Sequence, residues 1–106
     1  MDLSLFALSI RERRQAFHYS QSYLAILCEL DPSYISKIEN NQLGYPPSKE
    51  AIAALANVLD LDEYRLTLMA GHIPSDMQEL IINFLLAHTR KRAKEILEEA
   101  FFRAIL

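Results

Sequence analysis

The segment from Ser20 to Asn41 constrains the fold more than any other part of the chain. Its apolar residues recur at helical spacing, which predicts two short helices joined by a tight turn. The residues expected to face inward from these helices and their turn are Leu24, Leu27, Cys28, Leu30, Ile35 and Ile38. Each helix therefore has one buried side and one exposed side.

The second of these helices is expected to present hydroxyl groups and one cation to its surroundings. Ser20 and Asp31 are placed to accept hydrogen bonds from the free N–H groups at the two helix starts. Pro32 suits the first helical position because it lacks an N–H group. The residues left exposed on the second helix are Ser33, Tyr34, Ser36 and Lys37. A face of this kind can lie in the major groove of DNA.

The same segment resembles the helix-turn-helix of the Xre family, the group of phage lambda-type repressors and Cro proteins. The pattern of that family is Ser-Gln, two residues, Leu-Ala, a turn, and then Tyr-Ile-Ser-x-Ile-Glu. This chain matches the pattern without a gap at Ser20-Gln21, at Leu24-Ala25 and at residues 34–39. The similarity extends more weakly from about Ser9 to Pro74.

Two positions depart from the family pattern. The family usually has glycine in the turn, where this chain has Glu29, and often after the second helix, where it has Asn41. Asparagine tolerates a left-handed backbone fairly well, whereas glutamate adopts it less readily. The turn at Glu29 is therefore where the match to the family is weakest.

The resemblance implies which residues meet DNA. Family members commonly read bases from the positions of Pro32, Ser33 and Lys37, and their counterpart of Gln21 often contacts a phosphate. Lysine can donate to guanine O6 and N7, whereas proline offers only apolar contact, for example to a thymine methyl group. The further DNA contacts expected are Tyr34, Ser36, Asn40, Asn41, Gln42 and, from the first helix, Arg13. For Tyr34 and Ser36 a purely structural role stays open.

Arg14 and Glu39 form a second kind of candidate site. Arg14 falls on the apolar stripe of the first helix, four residues after Ile10, and Glu39 falls four residues after Ile35. Opposite charges on facing inner surfaces predict a partly buried ion pair, and family members often have such a pair at these positions. The hypothesis is that this pair fixes the angle of the recognition helix.

Composition limits the remaining possibilities. The chain has 106 residues and one cysteine, Cys28, so an internal disulfide cannot form and a reducing cytoplasm is the expected compartment. No membrane association is expected, because the apolar runs are too short to span a bilayer and the N-terminus lacks a basic signal region. The formal net charge of −3 implies modest DNA affinity per monomer, and so favours dimerisation.

Features of an enzyme are absent from the sequence. The three histidines, His18, His72 and His88, are far apart and have no partner at helical spacing, so no metal site is expected. Neither a glycine-rich phosphate loop nor a convincing catalytic set of residues is present. The sequence therefore predicts a protein that is not an enzyme and has no cofactor.

The apolar spacing is helical throughout and predicts an all-α fold. Residues 1–74 are expected to form a five-helix, lambda-repressor-like DNA-binding domain. The first of the five helices is expected to follow a cap at Asp2, and the fourth a cap at Ser48. The fifth is expected to end at Gly71 and then Pro74. The additional apolar residues expected inside are Leu3, Phe6, Ile10, Phe17, Ile52, Leu55, Ala56 and Leu59.

Residues 75–106 are predicted to form a long C-terminal dimerisation helix, with a break near His88 as the alternative. Seven of the eight residues from Leu80 to Ala87 are hydrophobic. A helix that is apolar on every side must be covered on more than one side, and a second subunit is the simplest cover. The residues expected in the dimer contact are Leu80, Ile81, Phe84, Leu85, Ile96, Leu97 and Phe101.

Together these observations predict a sequence-specific, double-stranded-DNA-binding transcriptional regulator. It would act as a homodimeric repressor, with two recognition helices in successive major grooves of a palindromic operator. The alternative is a protein-interaction module, antitoxin-like or specific for a phage or host partner, in which DNA binding is secondary. The acidic balance and the apolar C-terminal segment favour that alternative.

Overall fold

The computed structural model describes residues 3–73 and 75–105 of the chain. These residues contain seven α-helices and no strand, so the predicted all-α fold is confirmed. The chain divides into two compact units, residues 1–73 and 74–106. The helices are α1 (Ser4–Ala16), α2 (Gln21–Cys28), α3 (Pro32–Glu39), α4 (Lys49–Leu59), α5 (Glu63–Met69), α6 (Ser75–Ala87) and α7 (Arg90–Ile105).

All five helices of the first unit contribute to one apolar core. Its buried residues are Leu3, Phe6, Ile10, Leu24, Ala25, Cys28, Ile35, Ile38, Ile52, Leu55, Ala56, Leu59, Leu66 and Ala70. Leu27 was expected among them, but its side chain is 39% exposed. Successive helical residues are turned by about 100°, so the inward stripe of α2 runs through Leu24, Ala25 and Cys28 and leaves Leu27 at its edge.

Side-chain caps fix where the helices begin. Ser20, Asp31 and Ser48 accept hydrogen bonds from backbone N–H groups of α2, α3 and α4 at 3.0, 2.8 and 3.1 Å. Each of these caps satisfies a donor that the first helical turn leaves without an intrahelical partner. The expected cap Asp2 and the helix-ending Pro74 lie outside the described residues.

The turn between α2 and α3 is built on a left-handed residue. Glu29 has φ 56° and ψ 41°, and Leu30 N donates to Ala25 O at 2.9 Å. Asn41, which follows α3, also has a positive φ, of 54°. Glu29 therefore adopts the backbone that glycine adopts easily, and left-handed backbone costs an L-residue about 1–2 kcal/mol.

The second unit consists of two helices, so the prediction of one long C-terminal helix is wrong. The break falls at His88 and Thr89, the alternative position identified in the sequence. Thr89 Oγ1 accepts from Arg92 N at 3.2 Å and so caps a new helix, while His88 Nδ1 lies 2.8 Å from Phe84 O. A local polar side chain thus replaces the backbone partners that a continuous helix would have used.

The second unit buries little of its apolar surface. None of the α6 residues is buried, and Ala93 of α7 is the buried hydrophobic residue of this unit among those described. Its exposed large hydrophobic residues are Leu80, Ile82, Leu85, Leu86, Leu97, Phe101 and Phe102. Among the described residues, no helix is long and apolar enough to cross a bilayer.

We expect Glu29→Gly to stabilise the first unit by about 0.5–1 kcal/mol. Glycine removes the left-handed strain at this position, although part of the gain is lost to the greater freedom of the unfolded chain. Chemical unfolding followed by circular dichroism measures the change. Glu12→Gly, in the exposed interior of α1, is the matched control and is expected to destabilise, and a destabilised Glu29→Gly variant would contradict this account of the turn.

Candidate nucleic-acid interface

The exposed side of α3 carries the first candidate contacts. Pro32, Ser33 and Lys37 are exposed, whereas Ile35 and Ile38 on the opposite side lie in the core. Lys37 makes no ion pair at contact distance within the described part of the chain. Its ammonium group is thus available to a ligand that approaches α3 from outside.

Ser33 is already engaged by the cap of its own helix. Its hydroxyl donates to Asp31 Oδ1 at 2.6 Å, and its backbone N–H donates to the same oxygen at 2.8 Å. The hydrogen bond from the hydroxyl, together with that from the backbone, lowers the pKa of the Asp31 carboxyl below its ordinary value. Because the hydroxyl hydrogen is used in this way, Ser33 offers its oxygen to a ligand mainly as an acceptor.

Tyr34 and Ser36 are half-buried rather than exposed. The Tyr34 ring packs against the core, and this burial raises the pKa of its hydroxyl despite hydrogen bonds with Ser48 that act in the opposite direction. Ser36 Oγ accepts from Asn40 Nδ2 at 3.3 Å. Both side chains therefore have structural partners within the first unit.

The residues after α3 form an exposed polar edge. Asn40, Asn41 and Gln42 are all exposed. Asn41 Nδ2 donates to Ser4 Oγ at 3.3 Å, which ties this edge to the start of α1. The edge therefore carries side-chain amide groups, and the hydrogen bond of Asn41 links it to α1.

A single buried carboxylate joins α1, α2 and α3. Arg14 Nε donates to Glu39 Oε2 at 2.7 Å and Arg14 Nη2 donates to Glu39 Oε1 at 2.8 Å, so the pair is bidentate. The Glu39 side chain is fully buried and the Arg14 side chain is 13% exposed. The hydrogen bonds to Glu39 raise the pKa of the Arg14 guanidinium above its ordinary value, despite burial.

Gln21 belongs to the same network. Its side-chain Nε2 donates to Glu39 Oε1 at 3.2 Å, and Arg14 Nη1 donates to Tyr19 O at 2.8 Å just before α2. The start of α2 is thus fixed relative to both α1 and α3. The side-chain amide expected to contact a phosphate has an internal partner, whereas the first-turn N–H groups of α2 have none within the helix.

The contact of Arg11 with Glu39 and the end of α3 was not predicted from the sequence. Arg11 Nη2 donates to Glu39 O at 2.7 Å and to Asn40 Oδ1 at 3.1 Å, and its Nε lies 3.7 Å from Glu39 Oε1. A guanidinium at the carboxyl end of a helix satisfies carbonyls that the helix leaves free. The sequence did contain one signal for this contact, which is helical spacing. Arg11 lies one helical turn before Arg14 and Gln15, so it lies beside the stripe of α1 that faces α3.

Arg13 was expected to be an exposed side chain that contacts DNA, but it has hydrogen-bond partners within the first unit. Its Nε donates to Leu59 O at 2.8 Å and its Nη2 donates to Asp60 O at 3.0 Å, while its guanidinium lies 5.2 Å from the centre of the Phe17 ring. The side chain therefore caps the carboxyl end of α4 instead of projecting towards α3. The cause is the free carbonyls at that helix end, which attract a nearby cation.

Metal-ligating side chains do not cluster in the described part of the chain. No group of three or more His, Cys, Asp or Glu residues there is arranged to hold a metal ion. Cys28 is buried, and this burial raises the pKa of its thiol. The polar groups that remain accessible on and after α3 are hydroxyls, amides and the Lys37 ammonium, with the exposed Asp31 carboxylate at the start of the helix.

Two short helices, α2 and α3, are joined by a tight turn, and α3 has one side in the core and the other side exposed. This is the arrangement of the helix-turn-helix class of proteins. The helix-turn-helix family matches residues 10–66, which is more than half of this chain. The chain therefore belongs to that family, in its Xre or lambda Cro-like branch. The resemblance found in the sequence is confirmed.

Individual relatives are transcriptional regulators. The chain is 35% identical over 78 residues to the uncharacterized HTH-type transcriptional regulator RghRB of Bacillus subtilis (strain 168), a match that covers 74% of this chain and 55% of RghRB. The chain thus spans about half the length of that curated relative. The restriction-modification controller protein C.AhdI from Aeromonas hydrophila is 38% identical with a TM-score of 0.54, over 60% of this chain and 94% of that chain.

Two structures of SinR are also similar. SinR, the master regulator for biofilm formation, solved in complex with DNA, is 31% identical with a TM-score of 0.53, over 57% of this chain and 95% of that chain. The complex of SinR with SinI shows 26% identity and a TM-score of 0.55, over 95% of this chain and 99% of that chain.

Loss of the buried carboxylate is expected to destabilise the first unit strongly. Glu39→Ala leaves the Arg14 guanidinium poorly exposed and without its counter-charge, which costs about 3–5 kcal/mol. Chemical or thermal unfolding measures the effect, with exposed Glu12→Ala in α1 as the control. A midpoint of Glu39→Ala equal to that of the control would disprove the structural role of the pair.

Proposed function

We propose that this protein is a sequence-specific DNA-binding transcriptional regulator that acts as a homodimeric repressor. The observation that carries the proposal is the exposed side of α3, where Lys37 projects without an ion-pair partner among the described residues. An α-helix fits the major groove of B-DNA, where base edges present distinct patterns of donors and acceptors. The family of the chain supports the same function.

Three neighbouring side chains are proposed to read bases. Lys37 donates to guanine O6 or N7, Ser33 accepts from an exocyclic amino group, and Pro32 contacts a thymine methyl group. This is a narrow set of direct contacts, because proline forms no side-chain hydrogen bond. The shape and deformability of the operator are therefore proposed to supply part of the specificity.

Phosphate contacts are proposed on both sides of α3. The N–H groups of Gln21 and Ser22 lie at the positive end of the α2 dipole, whereas that of Tyr23 is already donated to Ser20 Oγ. Asn41 and Gln42 lie exposed after α3 and carry amide donors. Such contacts position the protein on the duplex, whereas the base contacts select the sequence.

Dimerisation is proposed to supply DNA affinity that a single copy of the protein lacks. The net charge is −3, and phosphate neutralisation provides most non-specific DNA affinity. Two copies that place their α3 helices in successive major grooves about 34 Å apart would recognise a palindromic operator. Occupation of such a site in a promoter represses transcription by excluding polymerase, and the reducing cytoplasm is the proposed compartment.

A second candidate function is regulation through another protein. The C-terminal unit exposes large apolar side chains, among them Leu86 at 80% and Phe101 at 66%. Of the similar structures, one contains SinR together with SinI, and it covers 95% of this chain. A protein partner that binds the C-terminal unit would then control DNA binding by the first unit.

Lys37→Ala is expected to weaken operator binding by about 1–3 kcal/mol and to relax the base preference at one position of each half-site. A selection from random DNA followed by mobility-shift titration measures both effects. Arg65→Ala is the matched control, because Arg65 is an exposed cation of α5 outside the proposed interface. Equal affinity and base preference of the two variants would refute the proposed role of Lys37.

A chain truncated before Ser75 is expected to be monomeric and to bind the operator more weakly. Residues 1–73 form a compact unit with an apolar core drawn from its own helices, so this part is expected to fold alone. Sedimentation measures the oligomeric state and the mobility shift measures the affinity. A truncated protein that remains dimeric would show that the dimer contact lies elsewhere.

A further inference from the structure

We propose that Asp31, at the start of α3, selects cytosine in the DNA target by accepting a hydrogen bond from the cytosine N4 amino group. This inference rests on the proposed function, and it adds to that function a specificity-determining residue and the base that this residue selects. Two observations carry it. One carboxylate oxygen of Asp31 has no internal partner, and the start of α3 has no hydrogen-bond donor left for a ligand.

The Asp31 side chain caps α3 with only one of its two carboxylate oxygens. Oδ1 accepts from Ser33 N at 2.8 Å and from Ser33 Oγ at 2.6 Å. Oδ2 has no hydrogen-bond partner within the part of the chain that the structure describes, and the residue is exposed. The cap therefore fixes the carboxylate relative to the helix and leaves one oxygen accessible from outside.

The backbone at the start of α3 offers no donor to a ligand. Pro32 has no N–H group, Ser33 N donates to Asp31 Oδ1, and Tyr34 N donates to Asp31 O at 3.0 Å. Helix starts commonly bind anions because such N–H groups remain free. The start of α3 therefore has no backbone group with which to hold a phosphate.

The exposed side chains in the first turn of α3 are acceptors as well. The Ser33 hydroxyl hydrogen is used on Asp31, so the Ser33 oxygen accepts, and the Pro32 side chain has no polar atom. Lys37, the one cation of α3, lies one turn further along the helix. The first turn thus presents two acceptors to a ligand, which are Asp31 Oδ2 and Ser33 Oγ.

Asp31 keeps its negative charge at neutral pH. The hydrogen bond from the Ser33 hydroxyl and that from the Ser33 backbone lower the pKa of the carboxyl, and the charge of Lys37 acts in the same direction. Asp31 and Lys37 form no ion pair at contact distance among the described residues. A strong acceptor and a strong donor are therefore presented near each other, and each is free to bind a separate group.

Two neighbouring acceptors fit cytosine better than any other base. In the major groove, cytosine presents its N4 amino donor and no acceptor. Guanine and thymine present acceptors, and adenine presents the N7 acceptor beside its N6 amino group. An acceptor that faces another acceptor loses its hydrogen bond to water without gaining a new one. The chemistry of Asp31 and Ser33 therefore points to cytosine.

The charge of Asp31 contributes to discrimination more than to affinity. Phosphate neutralisation provides most non-specific DNA affinity, so a carboxylate at the interface weakens binding to every duplex. The amino group of a correctly placed cytosine offsets this repulsion, whereas the other bases do not. Specificity is a difference between two affinities, and weaker binding to wrong sites increases it.

The proposed cytosine lies at a different base pair from the one that Lys37 contacts. Ser33 and Lys37 are separated by four positions, or about 6 Å along a helix, whereas stacked base pairs are about 3.4 Å apart. The two contacts are therefore expected at separate positions of each half-site. Substitutions at Asp31 and at Lys37 should change the base preference at those two positions independently.

Asp31→Asn in the full-length protein tests the contact without removing the cap. Asparagine caps a helix about as well as aspartate, because its Oδ1 accepts the same hydrogen bonds. The outward atom becomes an amide donor, so the preferred cytosine is expected to be replaced by guanine or thymine, whose O6 or O4 accepts. Selection from random DNA and mobility-shift titration measure the change. The wild type is expected to prefer cytosine at this position about tenfold.

Glu29→Gln is the matched control. Glu29 is exposed and precedes Asp31 by two residues, but it belongs to the turn before α3. Each variant removes one negative charge, so each is expected to bind unrelated DNA about threefold more tightly at low salt. Of the two, Asp31→Asn alone is expected to change the selected base.

A second measurement uses the wild-type protein and does not depend on the folding of a variant. The proposed cytosine of the operator is replaced by an analogue that lacks the N4 amino group. The wild type is expected to bind this DNA about tenfold more weakly than the normal operator. Asp31→Asn is expected to bind the analogue no more weakly than cytosine. A purely structural cap would not couple the residue to one amino group of the DNA.

Three outcomes would overturn the inference and leave the regulator standing. The selected half-site could contain no cytosine, Asp31→Asn could retain the cytosine preference, or the wild type could bind the analogue as tightly as cytosine. In each case the effect of Lys37→Ala at its own position still supports DNA recognition. A wild-type chain that selects no sequence at any salt concentration would reject the proposed function, and the cytosine contact with it.

Discussion

The arrangement of the first unit depends on one carboxylate removed from water. A buried ionised group is costly unless it is paired and its hydrogen-bonding capacity is filled. Glu39 meets this condition through Arg14 and Gln21, with Arg11 close by, and these residues belong to α1 and α2. The helix that carries Glu39 therefore cannot turn or slide without breaking several short contacts.

This constraint links folding to function. Apolar packing through Ile35 and Ile38 holds α3 on the core, but apolar contact is non-directional. The bidentate pair with Arg14 adds direction, because a guanidinium and a carboxylate align in a plane. The core therefore supplies most of the stability, and the ion pair defines the orientation in which the outer side of α3 is presented.

Much of this arrangement could be predicted from the sequence, because its signals are local. The caps at Ser20, Asp31 and Ser48 depend on side chains within three residues of the donors that they satisfy, and helical spacing identifies the inner residues of α4. The proximity of Arg14 and Glu39 also followed from spacing, because both fall on inward stripes. In each case the helical spacing, together with one rule of hydrogen bonding or charge pairing, was sufficient for the prediction.

The remaining features depend on which distant group a long side chain reaches. Spacing placed Arg11, Arg13 and Gln21 on α1 and α2, but it did not reveal that a carboxylate or a carbonyl lies within their range. The sequence left open whether the C-terminal segment is one helix or breaks near His88, because the cap at Thr89 is a single hydroxyl inside otherwise continuous helical spacing. The group that a long side chain reaches depends on tertiary structure, and spacing along one helix does not identify it.

The inner and outer residues of α3 have different roles, and this separation has an evolutionary consequence. Its inner residues and Glu39 hold the helix, whereas Pro32, Ser33 and Lys37 are exposed. Substitutions at exposed positions that belong neither to the core nor to a buried ion pair usually change the free energy of unfolding by about 0.5 kcal/mol or less. Lineages with this scaffold can therefore acquire new target preferences by drift at a few outer positions while the folded framework stays intact.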